Sequence, residues 1–203
     1  MIFRVNEHTL SCQETECFFL NKLKNKNLIW GPEDIQKTLV RMAHEIIESH
    51  PFPTNLLLAG IKTRGVLLSD RLSSLIKHFK NVQIPCISLD IKFYRDDIKT
   101  PDIQPHSIKN QTEKVANKNI ILVDDVLYTG RSVRAALNAL TDLGRPELVS
   151  LAVLIDRGHR ELPITPNYVG KNIPTHRNQK IHVFLKEIDN IEGVYLSTKN
   201  ENA

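Results

Sequence analysis

The sequence predicts an α/β fold built on a central, mostly parallel sheet, and three observations carry that expectation. Short apolar runs at residues 55–59, 120–123 and 148–155 lack polar alternation, the pattern of strands buried on both faces. Between them lie segments whose apolar residues recur at helical spacing. A β-α-β alternation of this kind requires right-handed crossovers, which bring the loops after successive strands to one edge of the sheet.

Residues 1–30 read as an appendage, rich in Lys and Asn around 21–27 with an apolar island at Phe18, Phe19 and Leu20. A short hairpin, a partner-binding arm and a disordered tail all fit; residues 1–26 are assigned to the arm and 27–203 to a single domain. Gly31-Pro32-Glu33-Asp34 opens a helix, with Pro in the first turn and acids at the positive dipole end. Ile35, Leu39, Met42, Ala43, Ile46 and Ile47 keep helical spacing until Pro51 and Pro53. The strand at 55–59 leads through the loop 60–65 into a helix over about 66–79, and 84–91 is the next strand. Residues 93–118 are polar, contain Pro101 and Pro105 and show no period, as expected of a functional or mobile loop. The strand at 120–123 is followed by a helix with Val133, Ala136, Leu137 and Leu140 on one face, ending at Gly144 before Pro146. After the strand at 148–155, strand-like runs recur at 181–185 and 194–196.

Composition narrows the function classes. Hydrophobic residues make up 41% and charged residues 25%, and the formal charge of +4 neither demands nor excludes a nucleic-acid partner. No apolar run reaches the length of a membrane span, and residues 1–20 lack a signal-peptide core. Cys12, Cys17 and Cys86 have no metal or redox spacing, and His8 completes no zinc set. A soluble cytoplasmic protein with reduced thiols is expected.

The most informative segment is Asn119–Val133. Asp124 and Asp125 follow the apolar run, and Val126, Leu127, Tyr128, Thr129, Gly130, Arg131 and Ser132 lead into the helix. A turn running into a helix start offers backbone N–H groups and the positive dipole end to a phosphate. Gly130 permits close approach, and the Thr129 and Ser132 hydroxyls add donors. Carboxylates repel phosphate, so an acidic pair beside such a turn suits a ligand carrying both a diol and a phosphate, as ribose 5-phosphate does. Lys62, Thr63 and Arg64 form a second cationic turn before a helix, suited to a polyanion and to bidentate phosphate contact through Arg64. Read alone, that turn serves equally well as a solvated surface loop. Tyr94-Arg95-Asp96-Asp97 is by composition a charged surface turn, as is Asp156-Arg157-Gly158-His159-Arg160.

The 119–133 run resembles the phosphoribosyl pyrophosphate (PRPP) motif of type I phosphoribosyltransferases. The stretches 59–65, 89–97, 123–132 and 151–174 together resemble the PyrR family, pyrimidine operon attenuation regulators that also act as uracil phosphoribosyltransferases. The likeness covers roughly residues 27–198. It implies a type I phosphoribosyltransferase fold with a small C-terminal hood at about 156–183. It implies the reaction uracil + PRPP giving UMP + pyrophosphate, in pyrimidine salvage. Asp124, Asp125, Arg64 and Arg95 are then the catalytic set, with Lys62 and Thr63 beside the pyrophosphate and Arg95 on a lid. Residues 128–132 hold the 5′-phosphate, Val126, Leu127 and Arg157 are further substrate contacts, and main-chain groups near Ile181 meet the base. Mg²⁺ is expected to be bound mainly through PRPP, with no dedicated protein ligand. Members are commonly dimers or larger homo-oligomers.

Members that bind pyrimidine operon leader mRNA carry a basic surface, matched here by His44, His159 and Arg160. Val40 replaces a common Thr and Thr165 a common Arg, so that surface is expected to be weakened. The alternatives are a UMP-responsive RNA attenuator with catalysis secondary, and a phosphoribosyltransferase for another nucleobase.

Overall fold

The computed structural model describes residues 23–94 and 115–198, with Phe93 described by its backbone alone. Residues 1–22 of the expected arm, residues 95–114 with Arg95 and the lid expected there, and residues 199–203 lie outside the described residues.

A five-stranded, wholly parallel sheet has the order β3-β2-β4-β5-β6, formed by Cys86–Leu89, Leu56–Ile61, Asn119–Leu127, Leu148–Asp156 and Tyr168–Asn172. Helices cover both faces. On one, α1 (Pro32–Ser49) and α2 (Arg64–Lys80) pack Ile35, Leu39, Met42, Leu68, Leu72 and Ile76 against Leu56, Leu58, Ile121 and Val123. On the other, α3 (Arg131–Leu143) packs Val133, Ala136 and Leu140 against Leu57, Ala59, Ile120 and Leu122. Successive residues of β2 and β4 thus enter opposite cores, which is why both strands read as unbroken apolar runs.

The elements bear out the sequence reading with local differences. The Gly31 N–H donates to Asp34 Oδ2 at 3.0 Å, which fixes the start of α1. Helix α2 begins two residues before the expected 66, so Arg64 is its first residue. Leu137, expected on the buried face of α3, is exposed; Ala139 and Leu143 complete that face instead.

A second, antiparallel sheet has the order β1-β8-β7, from Asn27–Trp30, Gly193–Thr198 and Gln179–Phe184, with the one-turn helix α4 (Lys186–Asp189) between β7 and β8. The chain expected to form the hood is therefore shared out. Tyr168–Asn172 joins the main sheet as edge strand β6, whereas β1 and β8, from either end of the described chain, sandwich into the small sheet. Polar Lys171 and Asn172 concealed the β6 strand; it lies at an edge, where one side meets solvent.

Candidate active site

All five strands of the main sheet are parallel, so the ends of β2, β3, β4 and β5 emerge together. Four loops meet there, as binding sites on open parallel sheets do. Their closeness is visible in main-chain bonds. Lys62 N–H donates to Leu89 O at 3.0 Å, and Arg157 N–H to Leu127 O at 3.1 Å.

A cavity of about 380 Å³ opens at the end of β4, lined by Asp124 and residues 126–133. Every member of the expected phosphate turn, Tyr128 to Ser132, thus faces one space, together with Val126 and Leu127. Gly130 adopts φ 93°, the left-handed conformation that favours glycine, and caps α3; its carbonyl accepts the Arg134 N–H at 2.9 Å. A Cβ there would also stand 3.1 Å from Ile164 Cδ1. The α3 N-terminus is thereby aimed at the cavity, with Thr129 Oγ1 accepting the Arg131 N–H at 3.4 Å.

Asp124 and Asp125 lie within β4 itself, past the end of its apolar run. Asp124 is buried at 9% exposure, and its Oδ1 accepts the Asp125 N–H at 2.9 Å; Asp125 Oδ1 accepts from Val126 N at the same distance. Burial raises the Asp125 carboxyl above its ordinary range, opposed by the positive charge of Arg64 and by these hydrogen bonds. The acids can approach α2 because Gly65 has no side chain: a Cβ there would fall 2.2 Å from Val123 O.

In the cationic turn, Lys62 pairs with Asp90 at 3.2 Å, and the Lys62–Thr63 peptide bond is cis. Asp90 is partly buried, which opposes its charge. The Lys92 N–H and the Lys62 ammonium outweigh that and hold its carboxyl below the usual range. Arg64 turns toward the small sheet, where its Nη2 donates to Asp189 at 3.0 and 3.3 Å. Tyr94, at the root of the lid segment, donates to Asp142 Oδ2 at 2.6 Å; burial and that carboxylate push its hydroxyl up to about 12.

The 157–164 loop folds over the phosphate turn. Glu161 and Leu162 N–H groups donate to Thr129 O at 3.0 and 3.2 Å, and Arg131 pairs with Glu161 at 2.7 Å. Arg157 is buried and spans to the hood: its Nε donates to Thr175 Oγ1 at 3.1 Å and its Nη2 to Gln179 O at 2.9 Å. It therefore holds the hood in place through its side chain. Ile181 sits on β7, half-buried against the larger core, and does not line the cavity. Strand β7 is, however, the edge of the small sheet and lies against β4. The neighbouring His182 is kept below its ordinary value by burial and by Lys26, Lys180 and Arg64; its Nε2 meets Ser197 Oγ at 2.8 Å.

The expected RNA-facing residues are not one exposed patch. Arg160 is an internal strut, donating to Ile164 O, Tyr128 O and Gly158 O at 3.0–3.3 Å and pairing with Asp156. His159, with φ 58°, bonds Thr175 O and meets the Tyr128 ring edge-on. Only His44 is exposed, stacked on Phe79 at 4.3 Å.

Sequence reasoning missed Asp90, Asp189, Glu161 and Asp156, the acidic partners of these cations. A signal existed: Arg64 and Arg71 stand seven residues apart on one face of α2, and cations so placed need carboxylates from elsewhere.

Comparison with known proteins agrees with this geometry. The family model of the phosphoribosyl transferase domain matches residues 33–187. The chain is 51% identical over 168 residues to the bifunctional protein PyrR of Limosilactobacillus fermentum, covering 81% of this chain and 94% of that protein. It is 47% identical over 178 residues to the PyrR of a Thermoanaerobacter species, covering 87% of this chain and all of that one. Among solved structures, a hypoxanthine phosphoribosyltransferase from Staphylococcus aureus superposes with a TM-score of 0.62 at 18% identity, covering 87% and 94% of the two chains. The hypoxanthine-guanine enzyme of Leishmania tarentolae gives 0.65 at 13%, covering 87% and 98%. These last two show the shared type I phosphoribosyltransferase fold; the chain belongs to the phosphoribosyltransferases and, among them, to the PyrR family of bifunctional proteins.

Proposed function

We propose that this protein joins uracil to PRPP, giving UMP and pyrophosphate, in pyrimidine salvage. The observation that carries the proposal is the convergence of Asp124 with the α3 N-terminus in one cavity, with Asp125 beside it in β4. Acids for a ribose diol and main-chain donors for a 5′-phosphate then stand on either side of one sugar.

The reaction develops positive charge at the anomeric carbon as pyrophosphate departs. Catalysis therefore needs a fixed ribose and a neutralised leaving group more than a strong nucleophile. Asp124 and Asp125 accept the ribose hydroxyls, and residues 128–132 hold the 5′-phosphate. Lys62, Thr63 and Arg64 receive the pyrophosphate, and Arg95 closes over it from the lid. Strand β7 offers its main-chain edge near Ile181 to the imide edge of the pyrimidine. Among the described residues no three or more His, Cys, Asp or Glu side chains converge on a metal position. The carboxylate oxygens of the Asp124–Asp125 pair nevertheless suit a hard cation held chiefly by the substrate. When bound, Mg²⁺ would help neutralise the charge that builds on the leaving pyrophosphate.

Conversion of radiolabelled uracil to UMP, with guanine, hypoxanthine and orotate as competitors, tests the proposal. Uracil turnover unaffected by the three competitors is expected. Preferential use of one of them would reassign the base.

A second reading, UMP-responsive binding of pyrimidine operon leader mRNA, is favoured by the bifunctional name of the relatives. It belongs to a homodimer or larger assembly, whose surface two subunits would share. In the described chain no helix is long and apolar enough to cross a membrane.

A further inference from the structure

Arg64 and Arg71 project from one face of α2, two turns apart, and both reach the segment 187–192 of the small sheet. Arg71 forks the Glu187 carboxylate through Nε and Nη2, both at 2.8 Å, and pairs with Glu192 through Nη1. That contact fastens α4 to α2. The Arg64 contact is of another kind. Asp189 is buried at 7% side-chain exposure, and its carboxylate is itself fixed, since Oδ2 accepts the Leu185 N–H at 3.1 Å. Arg64 donates to both of its oxygens through the same nitrogen, Nη2. Arg64 Nε, also buried, has no hydrogen-bond partner among the described residues. A latch would use the guanidinium fork, as Glu187 does on Arg71; Asp189 pins one nitrogen and leaves the rest of the group uncommitted to it. The same guanidinium is close enough to Asp125 to stabilise its charge, so it stands between the hood and the acid pair.

We propose that Asp189 is a positioning residue, which holds the Arg64 guanidinium at the junction of hood and acid pair so that it meets the pyrophosphate of PRPP without searching rotamers. The inference rests on the reading of residues 62–64 as the pyrophosphate turn. An arginine side chain loses much rotamer freedom on capturing an anion. A buried carboxylate that restricts it in advance makes the capture less costly and the geometry reproducible.

The test is initial-rate kinetics of the full-length chain, forward with PRPP and uracil and in reverse with UMP and inorganic pyrophosphate. D189N keeps an acceptor but loses the charge. It should raise KM for PRPP and for pyrophosphate about tenfold while leaving KM for uracil within about twofold. R64A should have at least as large an effect, and D189N added to R64A should change nothing further, the signature of one pathway. R71Q loosens the hood tie with Asp189 intact and should leave KM for PRPP within about twofold. If D189N fails to fold, judged by circular dichroism, D189E carries the same readouts, because it keeps the charge and shifts it by one methylene. Three results overturn the proposal: normal PRPP kinetics in the Asp189 variant beside an impaired R64A, additive effects in the double variant, or an R71Q that reproduces D189N. Unchanged KM for PRPP and pyrophosphate in R64A would instead remove the turn from the pyrophosphate site and, with it, this role for Asp189.

Discussion

The Arg157 guanidinium lies 4.0 Å from the centroid of the Tyr128 ring, so that a cation from the end of β5 rests on an aromatic from the end of β4. Burial lowers the Arg157 pKa from its ordinary value, yet the group stays charged at any physiological pH. Stacking accounts for only part of the tie, because the same guanidinium donates to Thr175 and to Gln179. Arg157→Lys keeps the charge but cannot reproduce a planar stack and a fork of donors together. It should cost about 2 kcal/mol of stability, the scale of one lost hydrogen bond from a charged group. KM for uracil should rise more than KM for PRPP, since the displaced element is the hood. Urea denaturation and separate titration of the two substrates check both; an unchanged midpoint would make the stack incidental.

Asp124→Asn with Asp125→Asn should nearly abolish turnover with the fold retained. The acids lie in β4, Asp124 buried and Asp125 half-buried, and an Asn at either place keeps the side-chain oxygen that accepts the next residue's N–H. Burial raises the Asp125 carboxyl, so the folded protein holds that proton to higher pH than the unfolded chain does. Stability then declines as pH rises from the ordinary carboxylate pKa through the raised folded value. Asp125→Asn, which carries no charge to bury, should flatten that part of the profile and be no less stable than the parent at neutral pH. The acid limb of kcat/KM should lie above the usual aspartate range, because the ionised pair is the active form. Calorimetry across pH 3 to pH 7, roughly the window in which a raised carboxylate titrates, checks the sign.

Gly65→Ala should be disabling although it adds a single methyl. The added Cβ would meet Val123 O at 2.2 Å, a backbone atom inside the central strand, so α2 must move away from β4. Overpacking of this kind costs about 1–3 kcal/mol. The shift would carry Arg64 away from Asp125, so turnover should fall more than the melting temperature alone suggests. Full activity in this variant would mean that the acid pair tolerates displacement of α2.

What the sequence made legible follows from where its information lies. Unbroken apolar runs such as Ile120–Val123 announced strands with two buried faces, and both cores proved to be there. The grouping of Tyr128 to Ser132 was legible because it is local: neighbours in sequence, they line one cavity. Partners distant in sequence were not legible. Arg64 and Asp189 are 125 residues apart, and nothing in the short 186–189 helix marks its aspartate. The surroundings of His159 and Arg160 were hidden for the same reason. A cation beside glycine in a polar loop looks solvated until the fold supplies the carbonyls of Tyr128, Ile164 and Thr175.

The last prediction concerns RNA. Arg160 is tied to Asp156 and three carbonyls, so Arg160→Ala should disturb the whole 157–164 loop and impair UMP synthesis as well as any RNA binding. His44→Ala touches only an exposed ring stacked on Phe79 and should leave uracil turnover unchanged while lowering RNA affinity. With Val40 half-buried on α1 and Thr165 exposed, the unmodified protein should bind a pyrimidine operon leader stem-loop weakly. Thr165→Arg, together with Val40→Thr, should strengthen it. The added arginine contributes about 1–3 kcal/mol if it reads a guanine edge. If it meets a phosphate, it steepens the salt dependence by about one unit of slope. UMP should tighten binding through reciprocal coupling between nucleotide and RNA. Filter binding with and without UMP, at several salt concentrations, measures all of these. Tight, sequence-selective and UMP-dependent binding by the unmodified protein would make attenuation a principal function, carried by a surface other than the one His159 and Arg160 suggested.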